Sequence, residues 1–133
     1  MSHASKRGKY KLKFKDEKLL AEFSKAPILL SLMLQDADLF CQENFDKELT
    51  VTRILGSIAG DSGVHADYRA IDCRDEYLGK RTFNESELKD LMGYINLRYY
   101  RNDGLLSVIH HSFQGMPYHL HFQIATLTKA YMR

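Results

Sequence analysis

The spacing of apolar residues along this 133-residue chain switches between a strand period and a helical period, and the switches mark out its elements. Lys9–Lys15 (KYKLKFK) alternates basic residues with Tyr10, Leu12 and Phe14, the pattern of a short edge strand or an extended arm. Asp16 is placed to cap a short helix running through Phe23. Pro27 suits the first turn of a second helix, from Ile28 to about Glu43, with Leu29, Leu32, Met33, Asp36, Leu39 and Phe40 near helical spacing. Glu48–Leu55 (ELTVTRIL) is rich in β-branched residues and alternates, which predicts a strand. Gly56–Gly63 (GSIAGDSG) predicts a loop.

The second half repeats the alternation of types. A strand is predicted at Arg69–Cys73. Asn84 and Glu87 have capping-box spacing and open a helix from Glu85 to about Tyr99. Leu105–His111 and Tyr118–Ile124, separated by a turn, predict a hairpin. Helices first, then strands with one helix inserted, predict an α+β fold with a mainly antiparallel sheet packed against helices.

Composition bounds the function classes. The chain is 44% hydrophobic and 27% charged, an ordinary globular composition, and its net charge of +2 is too small to argue for nucleic acid by itself, so no nucleic-acid partner is expected. Tyr99-Tyr100-Arg101 has an aromatic–basic character, but tyrosines at a helix end suit closure of a core. Seven of the basic residues fall in positions 1–18, which carry a net charge of +5. Residues 1–15 are therefore read as a basic N-terminal arm and 16–133 as a single domain. Cys41 and Cys73 lack metal-type spacing and are expected to be reduced and buried. The apolar run at Pro27–Leu34 is too short for membrane insertion and starts too late for a signal peptide. The expectation is synthesis in the cytoplasm, with any extracytoplasmic substrate reached by lysis or by carriage in a particle.

The candidate chemistry lies in two stretches. His119 and His121, two apart in a predicted strand, project to one face, leaving Leu120 and Phe122 to pack on the core. His65 and Asp72 bracket HADYRAID, at the end of the Gly/Ser loop and in the next strand. Two imidazole nitrogens and one carboxylate oxygen make a three-ligand set for Zn²⁺ at ~2.0–2.2 Å, with a fourth position left for water.

His65-Ala-Asp-Tyr-Arg-Ala-Ile-Asp72 resembles the H-x-x-G-x-A-x-D motif of the zinc D-Ala-D-Ala carboxypeptidase and L-alanyl-D-glutamate endopeptidase family, which includes vancomycin-resistance D,D-peptidases, phage endolysins and the Hedgehog-type fold. The resemblance covers roughly residues 28–125 in element order, its specific residues confined to the two short stretches. It implies a Hedgehog/D,D-peptidase-like zinc domain, with His65, Asp72 and His121 as metal ligands. It also implies a peptidoglycan stem or cross-link peptide as substrate. By position in the strand before the motif, Arg53 corresponds to a substrate-binding arginine of the family.

This chain departs from the motif at three places. Tyr68 stands for glycine, Gly63 for serine, and Tyr118 for the acidic general base. His119 is then the best available group for handling protons and stabilising an oxyanion. Arg53 or Arg69 suits a substrate carboxylate, because a guanidinium fork matches that geometry. Of the neighbouring histidines His110 and His111, one is expected on the face of His119. The resulting expectation is a phage-type, wall-degrading zinc peptidase. The alternatives are a zinc-binding but inactive domain of the same fold and a metal-free binding module with His119 and His121 on its surface.

Overall fold

A computed structural model describes residues 12–54, 70–100, 106–111, 117–124 and 129–130. The architecture is α+β and mostly antiparallel, as the pattern predicts. Among the described residues three helices, α1 (Glu17–Phe23), α2 (Ile28–Phe45) and α3 (Glu85–Arg98), accompany strands β1 (Lys13–Phe14), β2 (Thr50–Ile54), β3 (Ala70–Arg74), β4 (Glu76–Tyr77), β5 (Lys80–Arg81), β6 (Tyr99–Tyr100), β7 (Val108–His111), β8 (His119–Gln123) and β9 (Lys129–Ala130). The main sheet has the order β1-β2-β3-β8-β7, with only β1 and β2 parallel. Lys13 and Phe14, the last part of the basic arm, therefore edge the sheet.

Strand alternation divides the sheet into an apolar face and a chemical one. Val51, Ile54, Ile71, Cys73, Val108, Leu120, Phe122 and Ile124 are buried in one cluster with Leu30, Met33, Leu34, Ala37 and Cys41 of α2 and Leu88, Leu91 and Ile95 of α3. The apolar stripe of α2 is in part the expected one: Met33 is buried and Leu29 and Phe40 pack against the core, but Leu32 is exposed, and Leu30, Leu34, Ala37 and Cys41 face inward instead. ILLSLML is apolar all round, so its spacing alone does not orient the helix. The helix also runs two residues past Glu43, until Asp46 takes a left-handed conformation at φ 57° and its N–H closes on the Cys41 and Gln42 carbonyls.

Local signals are realised where the sequence carries them. Asp16 accepts from Leu19 N at 3.0 Å, and the Asn84–Glu87 capping box forms in both directions. Asn96 ties α3 to β7, accepting from Ser107 N and Val108 N at 2.7 and 2.9 Å and donating to Val108 O at 3.1 Å. The β4–β5 hairpin carries no such signal. Its two-residue turn, Leu78-Gly79, has φ of 52° and 79°, the positive pair of a type I′ turn without the usual Asn-Gly. Both cysteines are free and buried, and burial pushes both thiols well up.

Inside the core, Asp38 accepts from Leu49 N at 2.8 Å and from Gln42 Nε2 at 2.6 Å, joining α2 to the entry of β2. Burial outweighs these hydrogen bonds and raises its carboxyl to about 6. The folded state then holds a proton that the unfolded chain has released, so stability falls as pH rises between about 4 and 6. In Asp38→Asn the amide oxygen can still accept from Leu49, and the amide nitrogen can donate to Gln42 Oε1, which has no partner among the described residues. Urea unfolding at pH 7.5 should show Asp38→Asn more stable than wild type by about 1–2 kcal/mol, with no gain at pH 4. Equal stability at both pH values would contradict this.

Candidate metal centre

The face of the sheet opposite the helices collects the polar side chains of three strands. In the β3–β8 register Asp72 lies opposite His121 and Arg74 opposite His119. Residues opposed in an antiparallel pair share a face, so Asp72, Arg74, His119 and His121 form one patch. Arg53 joins it through an irregularity of register. Val51 pairs with Cys73 on the core face, and strict alternation would return Arg53 to that face. The bulge between Val51 and Arg53 instead sets Arg53 opposite Asp72 and turns Ile54 into the core.

Asp72 and His121 are buried at 4% and 6% exposure, values that a carboxylate and an imidazole reach only with partners. Their partner is first each other: His121 Nδ1 lies 2.8 Å from Asp72 Oδ1. His119 Nε2 stands 3.6 Å from the second oxygen, Oδ2, and its Nδ1 is 3.3 Å from Pro117 O. One donor atom from each of Asp72, His119 and His121 falls within 4.8 Å of the others, and the three could hold a metal ion. Donor atoms that share a zinc ion at ~2.0–2.2 Å stand roughly 3.2–3.6 Å apart, so the set needs little rearrangement.

His121 supplies a second test of fit. Its Nε2 faces Gln123 Oε1 at 3.2 Å, while Gln123 Nε2 donates to Leu106 O at 2.9 Å, which fixes the amide with its oxygen toward the ring. Both ring nitrogens therefore meet oxygen. A neutral imidazole carries one N–H, so one side calls for a second proton or for a metal ion in its place. With Nε2–H donated to Gln123, Nδ1 is left as the metal-facing atom. Sequence reading missed Gln123, although it continues the period-2 series from His119 and His121.

His65 and Arg69 lie outside the described residues. Of the residues picked from sequence, the structure brings together Asp72, His119, His121 and Arg53. A cleft of about 500 Å³ opens beside them, lined by Lys15, Thr52, Arg53, Asp72, Arg74, Glu76, Tyr77, Pro117, Tyr118 and His119. His119 lines it; His121 sits behind.

His110 belongs to a different cluster. It pairs in register with Leu120 on the core side, while His111 is the one of the two that stands in register with His119. His110 Nε2 donates to Asp75 Oδ2 at 2.6 Å and stacks on Tyr118 at 5.0 Å between ring centres. Asp75 also accepts from Arg81 Nε, Thr82 N and Phe83 N at 2.7, 3.1 and 3.0 Å. Burial alone would raise its carboxyl, but the Phe83 amide, His110 and Arg81 hold it below the usual range. The cluster fastens the β4–β5 hairpin, whose Glu76 N–H donates to Tyr118 O and whose Glu76 Oε1 accepts from Tyr118 N, each at 3.0 Å. The cleft wall is built on that hairpin.

Compared with known proteins, the chain matches no family model, no curated protein and no solved structure. Among the described residues no helix is long and apolar enough to cross a membrane.

Zinc added at about a hundredfold excess over its dissociation constant should stabilise the protein by about 2.7 kcal/mol and raise its thermal midpoint by several degrees. Asp72→Asn and His121→Ala should abolish the shift, and Gln123→Ala should weaken zinc affinity about 10–100-fold. An unchanged midpoint in wild type would contradict a metal at this position.

Proposed function

We propose that the protein is a zinc peptidase of peptidoglycan stem or cross-link peptides, of the phage lytic type, on a Hedgehog/D,D-peptidase-like fold. The observation that carries the reading is the convergence of Asp72 and His121, distant in the chain, into a buried pair at the edge of a cleft. The resemblance of His65–Asp72 to the zinc-peptidase motif supplies the substrate class. In this reading His65, which lies outside the described residues, takes the third ligand position that His119 could also fill, so His65, Asp72 and His121 hold zinc and His119 is left for proton transfer. Bound there, zinc would supply a Lewis acid that polarises a peptide carbonyl and makes water a better nucleophile.

The protein's own groups do the rest. His119 is half-buried and faces the cleft, with Nε2 beside Asp72 Oδ2, the position for taking a proton from attacking water and passing it to the departing amine. Arg53, brought to this face by the bulge, orients a carboxylate of the peptide, with Arg69 as its neighbour in the motif. His121 and Asp72 are buried at the floor of the site, which strengthens the electrostatic contacts they make.

A second reading, a zinc-binding domain without hydrolytic activity, draws on Tyr118. That residue holds the position of an acidic base in the motif, and its ring stacks on His110. Purified peptidoglycan separates the two. The peptidase reading expects new amine groups on incubation with the zinc-loaded protein. His119→Ala should keep its zinc and lose about 10²–10⁴-fold in turnover, whereas His65→Ala and His121→Ala should lose both. Bound zinc with no amine release would favour the inactive domain. Full turnover in His119→Ala would remove that residue from the chemistry.

A further inference from the structure

The cleft carries a cationic wall beside the metal centre. Lys15, Arg53 and Arg74 line it against Asp72 and Glu76. Asp72 is engaged by His121 and His119, and Glu76 is turned to the Tyr118 amide. Arg74 is half-buried, yet among the described residues no carboxylate lies within ion-pair range of it. Its guanidinium instead lies 4.2 Å from the centre of the Tyr77 ring. Stacking of this kind fixes the plane of a guanidinium while leaving its N–H edges directed outward.

Lys15 reaches the same cleft from the far edge of the sheet. Its backbone N–H donates to Val51 O at 2.8 Å, which extends β1 by one residue and fixes where the side chain starts. A half-buried arginine set over an aromatic ring, in a cleft that a second cation also lines, is a receptor for a planar anion.

Resting on the peptidase reading above, we propose that Arg74, held by Tyr77 and assisted by Lys15, is a subsite for a carboxylate on the residue flanking the scissile bond. The register supplies the position. Arg74 is directly opposite His119 and two residues from Asp72 on one strand face. A carboxylate gripped by Arg74 therefore lies about one residue from the groups that act on the peptide bond. Arg53 stands opposite Asp72 in β2, across the strand pair rather than along β3, so the two arginines recognise groups at different positions around Asp72. The subsite selects acidic peptides over their amidated forms, because a carboxamide offers one acceptor and no charge to the same fork.

Binding of acetyl-Ala-Glu and of the same peptide with both carboxyls amidated, measured by calorimetry on the full zinc-treated chain at low salt, tests this. Zinc content is read on the same samples. The acidic peptide should bind about tenfold more tightly than the amide. R74Q should lower the preference to about threefold at unchanged zinc content, the remainder being the share of Arg53, and Tyr77→Ala and Lys15→Gln should each reduce it in part. Equal binding of the two peptides to wild type, or a full preference retained in R74Q, overturns the subsite. A preference that needs Arg74 in a protein that takes up no zinc upholds the subsite and contradicts the metal reading instead.

Discussion

A buried carboxylate facing a buried imidazole, 2.8 Å apart across β3 and β8, is the constraint on which the remaining geometry of the site depends. Neither group tolerates that burial alone. Desolvating an unpaired carboxylate costs several kcal/mol, and the pairing register of the two strands is what prevents it. A slip of one residue would carry Asp72 and His121 to the core side and expose Ile71, Leu120 and Phe122, so hydrophobic burial and the polar pair select the same register.

The chemistry then follows from the two faces of one sheet. The helical face is apolar and holds the strands rigid; the opposite face collects Arg53, Asp72, Arg74, His119, His121 and Gln123. Arg53 reaches it only through the bulge at Val51/Arg53. Gln123 acts from the end of β8, with one end of its amide on the Leu106 carbonyl and the other on His121. The hairpin wall is secured separately, by an Asp75 carboxylate that gathers Arg81, His110 and two backbone amides on the other side of the sheet.

Much of this was legible in the sequence, for identifiable reasons. Alternation in HLHFQ placed His119 and His121 on one face, and the Asn84–Glu87 spacing located the start of α3 to the residue. The features that escaped are those without a one-dimensional signature. Leu78-Gly79 makes a type I′ turn with a leucine where asparagine is usual, so β4–β5 gave no warning. The uniformly apolar start of α2 hid which stripe is buried. The bulge that redirects Arg53 is a property of two strands together. Sequence left open which of His110 and His111 stands beside His119; the register pairs His111 with it and sets His110 opposite Leu120, with its ring at Asp75. The His65 half of the motif lies outside the described residues, so Asp72, His119 and His121 carry the structural case for a metal.

The most direct test of a metal held between these strands is the state of the His121 ring, read from ¹⁵N–¹H correlations of the imidazole before and after zinc is added. The account predicts that zinc binds Nδ1 and leaves Nε2 protonated toward Gln123, at one ion per chain. A His121 ring whose two nitrogen shifts do not respond to stoichiometric zinc would contradict it.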